Sequence, residues 1–244
     1  MILSVLAPGL DTEAATFPLN FLETLFGEGV EGATTTIEIL LLLTVLTLVP
    51  SILILMTSFT RIVIILSFTR NAMGTQQMPP NQVIIGLALF LTYFTMYSTL
   101  SRIYDEAWAP YQAEQISLEE AYVNALDPIR TFMFTEIERH DHLDDLGTFM
   151  SLAGLERPES SLDEIPTYVL IPAFITSELK VALRMGFLIF LPFIVIDMIV
   201  ASALMSMGMM MLPPAMISLP FKLMLFVLVN GWDWVVRGIV GSFG

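Results

Sequence analysis

Four long apolar stretches dominate this sequence and restrict what it can fold into. Each reaches or approaches the roughly 20 residues that an α-helix needs to cross a bilayer. Only 14% of the residues are charged, whereas an average soluble domain has about 25%. A helix at the surface of a soluble core shows a polar stripe at helical spacing, and residues 83–100 show almost none. The four stretches are residues 37–68, 83–100, 185–212 and 217–236.

The acidic residues are concentrated in one segment. Residues 101–167 contain 15 of the 24 Asp and Glu residues and four Arg, and residues 1–37 contain five acids and no base. Binding to nucleic acid needs clustered Lys and Arg, so we exclude nucleic acid as a partner. Cysteine is absent, which excludes disulfides and thiolate sites.

The charges of the connecting segments predict an orientation. The connector 67–82 carries Arg70 and no acid, so the positive-inside rule places it in the cytoplasm. The acidic segment and the N-terminus then lie on the opposite, outer side of the membrane. Residues 1–7 lack the basic start of a signal peptide, so the sequence does not distinguish a chain without a signal peptide from one that begins after it.

The pattern predicts an all-α fold, because we find neither a strand pattern nor a repeat. Ser117-Leu118-Glu119-Glu120 fits a capping box at a helix start. Asp127-Pro128 predicts the end of that helix and the start of another. We divide the chain into an acidic N-terminal segment, a first helical hairpin, an acidic helical segment and a second helical hairpin with the Met-rich loop. These are residues 1–36, 37–100, 101–167 and 168–244.

Several ionisable residues lie inside or beside the apolar stretches. Such residues are costly in apolar helices and mark either a function or a pairing. Acids and bases are nearly equal in number, which favours ion pairs between helices or subunits, and we predict the pair Glu178–Lys222. A proton relay is the alternative. The residues concerned include Arg61, Glu178, Lys180, Arg184, Asp197, Lys222, Asp233 and Arg237.

Prolines at positions 50, 192, 213, 214 and 220 are predicted to interrupt the helices. In lipid, broken backbone is tolerated only where protein or a water-filled cavity surrounds it. The prolines therefore favour helices packed against other subunits or around a pore, with ordinary kinks as the alternative.

Five of the seven residues from Met205 to Met211 are methionine, and Leu212-Pro213-Pro214 follows them. Methionine is unbranched and polarizable, so it adapts to irregular or changing partners. The density of the run favours a soft surface, with loose core filling as the alternative.

No pattern indicates catalysis. His140-Asp141-His142 lies among acids, but we interpret it as a solvated helix end, because His residues two apart diverge on a helix and do not form a metal site there. The sequence contains no P-loop, dinucleotide-binding or serine-hydrolase motif. We therefore predict no enzyme activity, no metal and no cofactor.

Long ordered strings of this sequence resemble the FliP/SctR family of type III secretion export-gate proteins. They cover roughly residues 50–100 and 165–235, and the acidic middle carries little of the likeness. The strings are Thr57–Gln77, Pro79–Leu91, Pro172–Lys180, Gly186–Asp197, Met205–Pro214 and Ile217–Lys222.

The resemblance implies a non-enzymatic subunit of an export channel. Family members form a pentameric ring with FliQ-like and FliR-like subunits, work with FlhA/FlhB-like components, and pass unfolded proteins through the centre. Their kinked hairpins pack into a cone largely above the bilayer plane, within the basal body. The family's Met-rich constriction matches Met209, Met210 and Met211 here, extended by Met205 and Met207, so the resemblance implies a methionine gasket.

The long acidic segment is more similar to the flagellar branch of the family. An injectisome export gate is the alternative within the family. An ion-coupled membrane transporter using Glu178 and Asp197 is the alternative from another class.

Overall fold

The computed structural model describes residues 43–44, 47, 50–52, 54–75, 78–155, 164–209 and 211–244. The predicted N-terminal segment and Met210 lie outside them. The chain divides into two units, Met1–Ser51 and Ile52–Gly244. In the first unit the Thr47 hydroxyl donates to the carbonyl oxygen of Thr44 at 2.8 Å, a contact typical of helical backbone.

The second unit is helical throughout its described regular structure, which confirms the all-α prediction. Its longest helix has 40 residues. The elements are α1 Phe59–Met73, α2 Asn81–Thr95, α3 Tyr97–Ile103, a π-helical turn Tyr104–Trp108, α4 Ala109–Gln112, α5 Leu118–Arg139, α6 Leu143–Leu152, α7 Thr167–Ser206, α8 Pro214–Leu228 and α9 Gly231–Gly241.

The start of α5 is the predicted capping box. The Ser117 hydroxyl accepts from the Glu120 backbone N–H at 3.2 Å, and the Glu120 carboxylate accepts from the Ser117 N–H at 2.9 Å. The predicted break at Asp127–Pro128 is wrong, because α5 continues through Pro128 to Arg139. A proline inside a helix removes one hydrogen bond, but residues on both sides of it are buried against the rest of the fold, and that packing outweighs the loss.

The predicted helix interruptions at Pro192 and Pro220 are also wrong. α7 runs unbroken through Pro192, and α8 runs unbroken through Pro220. The bends lie elsewhere: α2 and the helix that follows meet at 61°, and α8 and α9 meet at 64°. At the second bend Asn230 has a φ of 51°, a left-handed conformation that Asn adopts more readily than most residues.

Two hydrophobic cores share α7. The first combines residues from α1, α2, α8 and α9 with Ala182, Ile189 and Phe193 of α7. The second combines α5 and α6 with the beginning of α7, where Leu170 and Phe174 are buried. α7 is therefore the element that connects the apolar helices to the acidic segment.

Among the described residues, α7 is the one helix long and apolar enough to cross a membrane by itself. Three pairs of bent helices meet the same criteria if each pair counts as one span, which gives up to four spans. Length and composition thus agree with membrane association.

Candidate functional site: a buried ion cluster and an exposed methionine loop

Arg61 lies at the centre of a buried ion cluster. It is on α1 and its side chain is fully buried. Its partners come from two other helices, Glu136 on α5 and Glu178 on α7, whose side chains are 2% and 0% exposed. Charges cannot be buried without partners, so the cluster forms only where α1, α5 and α7 meet.

The Arg61 guanidinium has as many acceptor contacts as it has N–H groups, namely five. Its Nε donates to Glu178 Oε2 at 2.8 Å, and its Nη2 donates to Glu136 Oε2 at 2.8 Å and to Glu178 Oε1. Its Nη1 donates to the Ser242 carbonyl at 3.0 Å and to the Ser242 hydroxyl at 3.1 Å. The Phe243 ring covers the guanidinium, with its centroid 3.9 Å from Cζ, an arrangement favourable for a cation–π interaction.

A second arginine completes the cluster. Arg139 Nη1 donates to Glu136 Oε1 and, at 2.5 Å, to the Phe243 carbonyl. The Phe243 ring also stacks on Phe132 of α5, with centroids 6.4 Å apart. The last residues of the chain thereby join the cluster, which has two guanidinium groups and two carboxyl groups.

Burial perturbs the titratable groups at the end of α5. It raises the pKa of the Glu136 carboxyl above its ordinary value, and Arg61 and Arg139 oppose that rise. It lowers the pKa of His140 to about 4, and the positive charges of Arg61 and Arg139 contribute to the lowering. His140 Nε2 lies 3.7 Å from Glu136 Oε2.

The other histidine of the His140-Asp141-His142 motif links α6 to α7. His142 Nδ1 and the Ser177 hydroxyl are hydrogen-bonded at 2.8 Å. Lys180 Nζ, one helical turn further along α7, donates to Asp145 Oδ1 on α6. These contacts hold the acidic segment against the first half of α7.

A further ion pair links α7 to α8. Lys222 Nζ donates to Asp197 Oδ2 at 2.6 Å, and the Ser218 hydroxyl donates to Asp197 Oδ1 at 2.6 Å. The predicted pair Glu178–Lys222 is therefore wrong, since Glu178 bonds Arg61 and Lys222 bonds Asp197. Arg184 is exposed and forms no ion pair with a described residue.

Sequence reasoning missed Glu136, Arg139 and the C-terminal residues as parts of the cluster. Glu136 had a recognisable signal: it follows Phe132 and Met133 at four and three residues, and so lies on the same apolar face of α5. The other acids of this helix are exposed. A single acid on its buried, apolar face therefore indicates a buried partner. No comparable signal marks Ser242, which contributes its backbone carbonyl.

The methionine run, residues 205–211, forms the end of α7 and the turn into α8. We call this stretch the methionine loop. Gly208 has a φ of 75°, a left-handed conformation that glycine adopts at little cost. The Gly208 N–H donates to the Met205 carbonyl at 3.1 Å, and the Met209 N–H donates to the Leu204 carbonyl at 3.0 Å. The described methionines of the run, Met205, Met207, Met209 and Met211, are all exposed, and Met211 is 98% exposed.

The two helices that the methionine run connects, α7 and α8, and also α2, have apolar faces that the chain itself does not cover. Large exposed apolar side chains line the second half of α7 and much of α8. On α2 one face is buried in the first core, and the opposite face exposes a row of apolar and aromatic side chains. That row contains Val83, Phe90, Phe94 and, just after α2, Tyr97. Exposed apolar patches of this extent mark contacts with protein or membrane.

Comparison of the sequence with known proteins identifies its family. The FliP family model matches residues 42–239. A Bacillus subtilis protein named flagellar biosynthetic protein FliP is 56% identical over 213 residues, which cover 87% of this chain and 94% of that protein. A protein of the same name from Borreliella burgdorferi is 48% identical over 232 residues, covering 95% of this chain and 89% of that protein. One from Aquifex aeolicus is 49% identical over 220 residues, covering 89% of each. This chain therefore belongs to the FliP family.

Proposed function

We propose that this chain is a subunit of the flagellar protein export apparatus and that copies of it form the channel for unfolded flagellar proteins. The family membership and the names of the relatives support the flagellar role. The relatives compared are all flagellar, which favours this role over an injectisome gate.

In this proposal the methionine loop closes the channel. The observation that carries it is a dense group of exposed thioether side chains in the turn between two apolar helices. Side chains of this kind re-pack around partners of different shape, so copies of the loop around one axis can close on one another and on a passing chain. Met209, Met210 and Met211 form the gasket, with Met205 and Met207 beside them.

The apolar faces of α2, α7 and α8 are contacts with neighbouring subunits in a pentameric ring, and with FliQ-like and FliR-like subunits. FlhA/FlhB-like components complete the export machinery in the inner membrane and flagellar basal body. The chain contributes two kinked helical hairpins, residues 37–100 and 168–244, and the acidic segment 101–167 faces the periplasm. No step in this function requires an enzyme activity of this chain.

Replacing Met209, Met210 and Met211 with alanine tests the gasket. We expect several-fold higher ion conductance in the purified export complex reconstituted in a planar bilayer, because the shorter side chains leave the pore open. The subunit composition of the complex should stay the same. Met78→Ala, at another exposed methionine, between α1 and α2, is the control and should leave conductance at the wild-type level. Unchanged conductance in a correctly assembled triple variant would contradict the gasket.

A further inference from the structure

Arg184 is a charged residue on an apolar helix face. It is exposed in α7, and its exposed neighbours Leu183, Phe187 and Leu188 are apolar. Its guanidinium forms no ion pair with a described residue. Arginine keeps its charge in proteins and has five N–H groups to satisfy. If another subunit covers this face, that subunit must supply acceptors, because a buried charge without a partner is strongly destabilising.

Contacts one turn earlier on α7 show which part of the chain lies level with Arg184. Lys180 Nζ donates to Asp145 Oδ1 of α6, and the Ser177 hydroxyl is hydrogen-bonded to His142 Nδ1 at 2.8 Å. Side chains on a helix tilt towards its N-terminal end, so the Arg184 guanidinium lies near the level of Lys180. The start of α6 lies at the same level.

The turn from α5 to α6 presents unpaired carboxyl groups at this level. We call residues 138–144 the acidic turn. Its exposed carboxyl groups, which form no ion pair with a described residue, are those of Glu138, Asp141 and Asp144. Arg139, the only arginine in the turn, already donates to the buried Glu136. The described chain thus has an unpaired base and several unpaired acids at one level.

We propose that Arg184 of one copy binds the acidic turn of the next copy, and that this contact sets the register between neighbouring copies in the ring. The contact presupposes the proposed function, in which a neighbouring subunit covers the exposed face of α7. A head-to-tail interface joins two different patches of the same chain, and complementary charges select the register in which they meet.

The geometry of a ring favours this pairing. Copies related by rotation about one axis meet at the same level along that axis. α7 is long and apolar enough to cross a membrane, so its length runs roughly along the axis of a ring in that membrane. Arg184 and the acidic turn are level along α7, so rotation brings one to the height of the other.

Charge reversal tests the contact in the assembled export complex. In Arg184→Glu we expect at least about tenfold less complex by native mass spectrometry, because like charges across an interface are strongly unfavourable. Arg237→Glu is the matched control, since Arg237 is also an exposed arginine of an apolar helix but has its partner, Asp233, in the same helix. It should assemble like the wild type. Both variants change exposed residues, so the thermal unfolding midpoint of the chain in detergent should stay close to that of the wild type.

The opposite reversal completes the test. Glu138→Lys combined with Asp144→Lys should reduce assembly as Arg184→Glu does. All three substitutions in one chain should restore the complex, because opposite charges then face each other again across every interface. Recovery of this kind measures coupling between the two patches and is not expected from two independent defects.

Cysteine cross-linking identifies the two chains in contact. The natural chain has no cysteine, so Arg184→Cys and Asp144→Cys introduce single thiols. Two differently tagged chains, each with one of these substitutions, are co-expressed, and the purified complex is treated with a short bismaleimide. We expect a cross-linked product that carries both tags. Arg237→Cys paired with Asp144→Cys is the control and should give none.

Three results would overturn the proposal: normal assembly of Arg184→Glu, no recovery in the combined variant, or a cross-link from position 184 to a different protein instead of a second copy. Failure of the proposed function is seen separately in the wild type. A purified wild-type complex with a single copy of this chain would exclude the ring itself, whereas several copies with no effect of Arg184→Glu would exclude the Arg184 contact alone.

Discussion

Burying the positive charge of Arg61 carries a large electrostatic cost for this fold. Its guanidinium is fully buried and is matched by carboxyl groups that lie 75 and 117 residues away in the sequence. An ion pair in such a place adds little stability compared with well-packed apolar residues, but the loss of one partner leaves an uncompensated buried charge. Any arrangement in which α1, α5 and α7 do not pack together would therefore leave a buried charge without its partner, and is disfavoured.

Glu178→Gln tests how much stability is lost when the buried charge of Arg61 loses one of its partners. We expect the free energy of unfolding in detergent to fall by about 3–5 kcal/mol, the usual effect of breaking a buried ion pair. Asp233→Asn is the matched control, because it removes the same charge from the exposed pair Asp233–Arg237, and exposed pairs contribute little. Equal thermal unfolding midpoints for the two variants would show that the cluster has no special role.

The lowered pKa of His140 predicts a dependence of stability on pH. Its pKa is about 4 in the folded chain and 6.5 as a model value, so between these values the unfolded chain binds more protons. Its contribution to stability is complete above pH 6.5 and is lost as the pH falls towards about 4. In His140→Gln we expect a smaller fall in the unfolding midpoint over this range at constant ionic strength. Glu136, with its raised pKa, contributes the opposite slope to both proteins, so the difference between them isolates His140. Identical pH profiles would exclude this assignment.

At the scale of elements, α7 determines how the rest of the chain is arranged. It contributes to both cores and supplies Glu178 to the Arg61 cluster and Asp197 to the pair with Lys222. Its contact with α1 is close where Gly186 faces Phe68. A Cβ atom at position 186 would lie 2.7 Å from Phe68 Cγ, too near for the two helices to keep their separation.

Gly186→Ala should therefore destabilise the chain. We expect a loss of about 1–3 kcal/mol, as for other overpacked sites, although alanine is the better helix former. Gly238→Ala in α9 is the control, because a Cβ atom there meets no heavy atom within 4 Å. It should be neutral or stabilise by up to about 1 kcal/mol. Thermal unfolding of both variants in detergent is the measurement, and a stabilised Gly186→Ala would contradict the packing described.

At the scale of the whole molecule, the described unit leaves much apolar surface uncovered. The exposed row on α2 and the exposed faces of α7 and α8 could not remain in water. A membrane could cover part of it, but the Asp197–Lys222 pair lies between two of these helices, and ionisable groups in lipid are costly. The proposed contacts with other subunits account for both features.

Phe90→Glu tests this role of α2. Phe90 is 68% exposed, so the substitution should leave the fold of the chain intact and place a charge in the proposed subunit contact. We expect loss of the multi-subunit complex, measured by native mass spectrometry. Tyr122→Glu, at an exposed aromatic of the acidic helix α5, should assemble normally. A complex of unchanged mass from Phe90→Glu would remove α2 from the interface.

Predictions succeeded where hydrogen bonds between nearby residues decide the structure and failed where tertiary packing decides it. The capping box at Ser117 was predictable because its hydrogen bonds join residues three apart. The proline interruptions failed at Pro128, Pro192 and Pro220 because packing of the flanking turns outweighs one missing hydrogen bond. The partner of Glu178 could not be found by counting charges, because the count does not say which helices pack together.

The sequence by itself determined the helical class, the membrane-associated character, the family and the run of methionines. These depend on composition and on residues close in the chain, and helical hydrogen bonds act over four residues. Only the tertiary structure decided that Arg61 pairs with Glu136 and Glu178, that the C-terminal Ser242 and Phe243 complete their cluster, and that the described methionines of the run are exposed. A buried charge takes the partner that packing brings within hydrogen-bonding distance, and packing is a property of the folded chain.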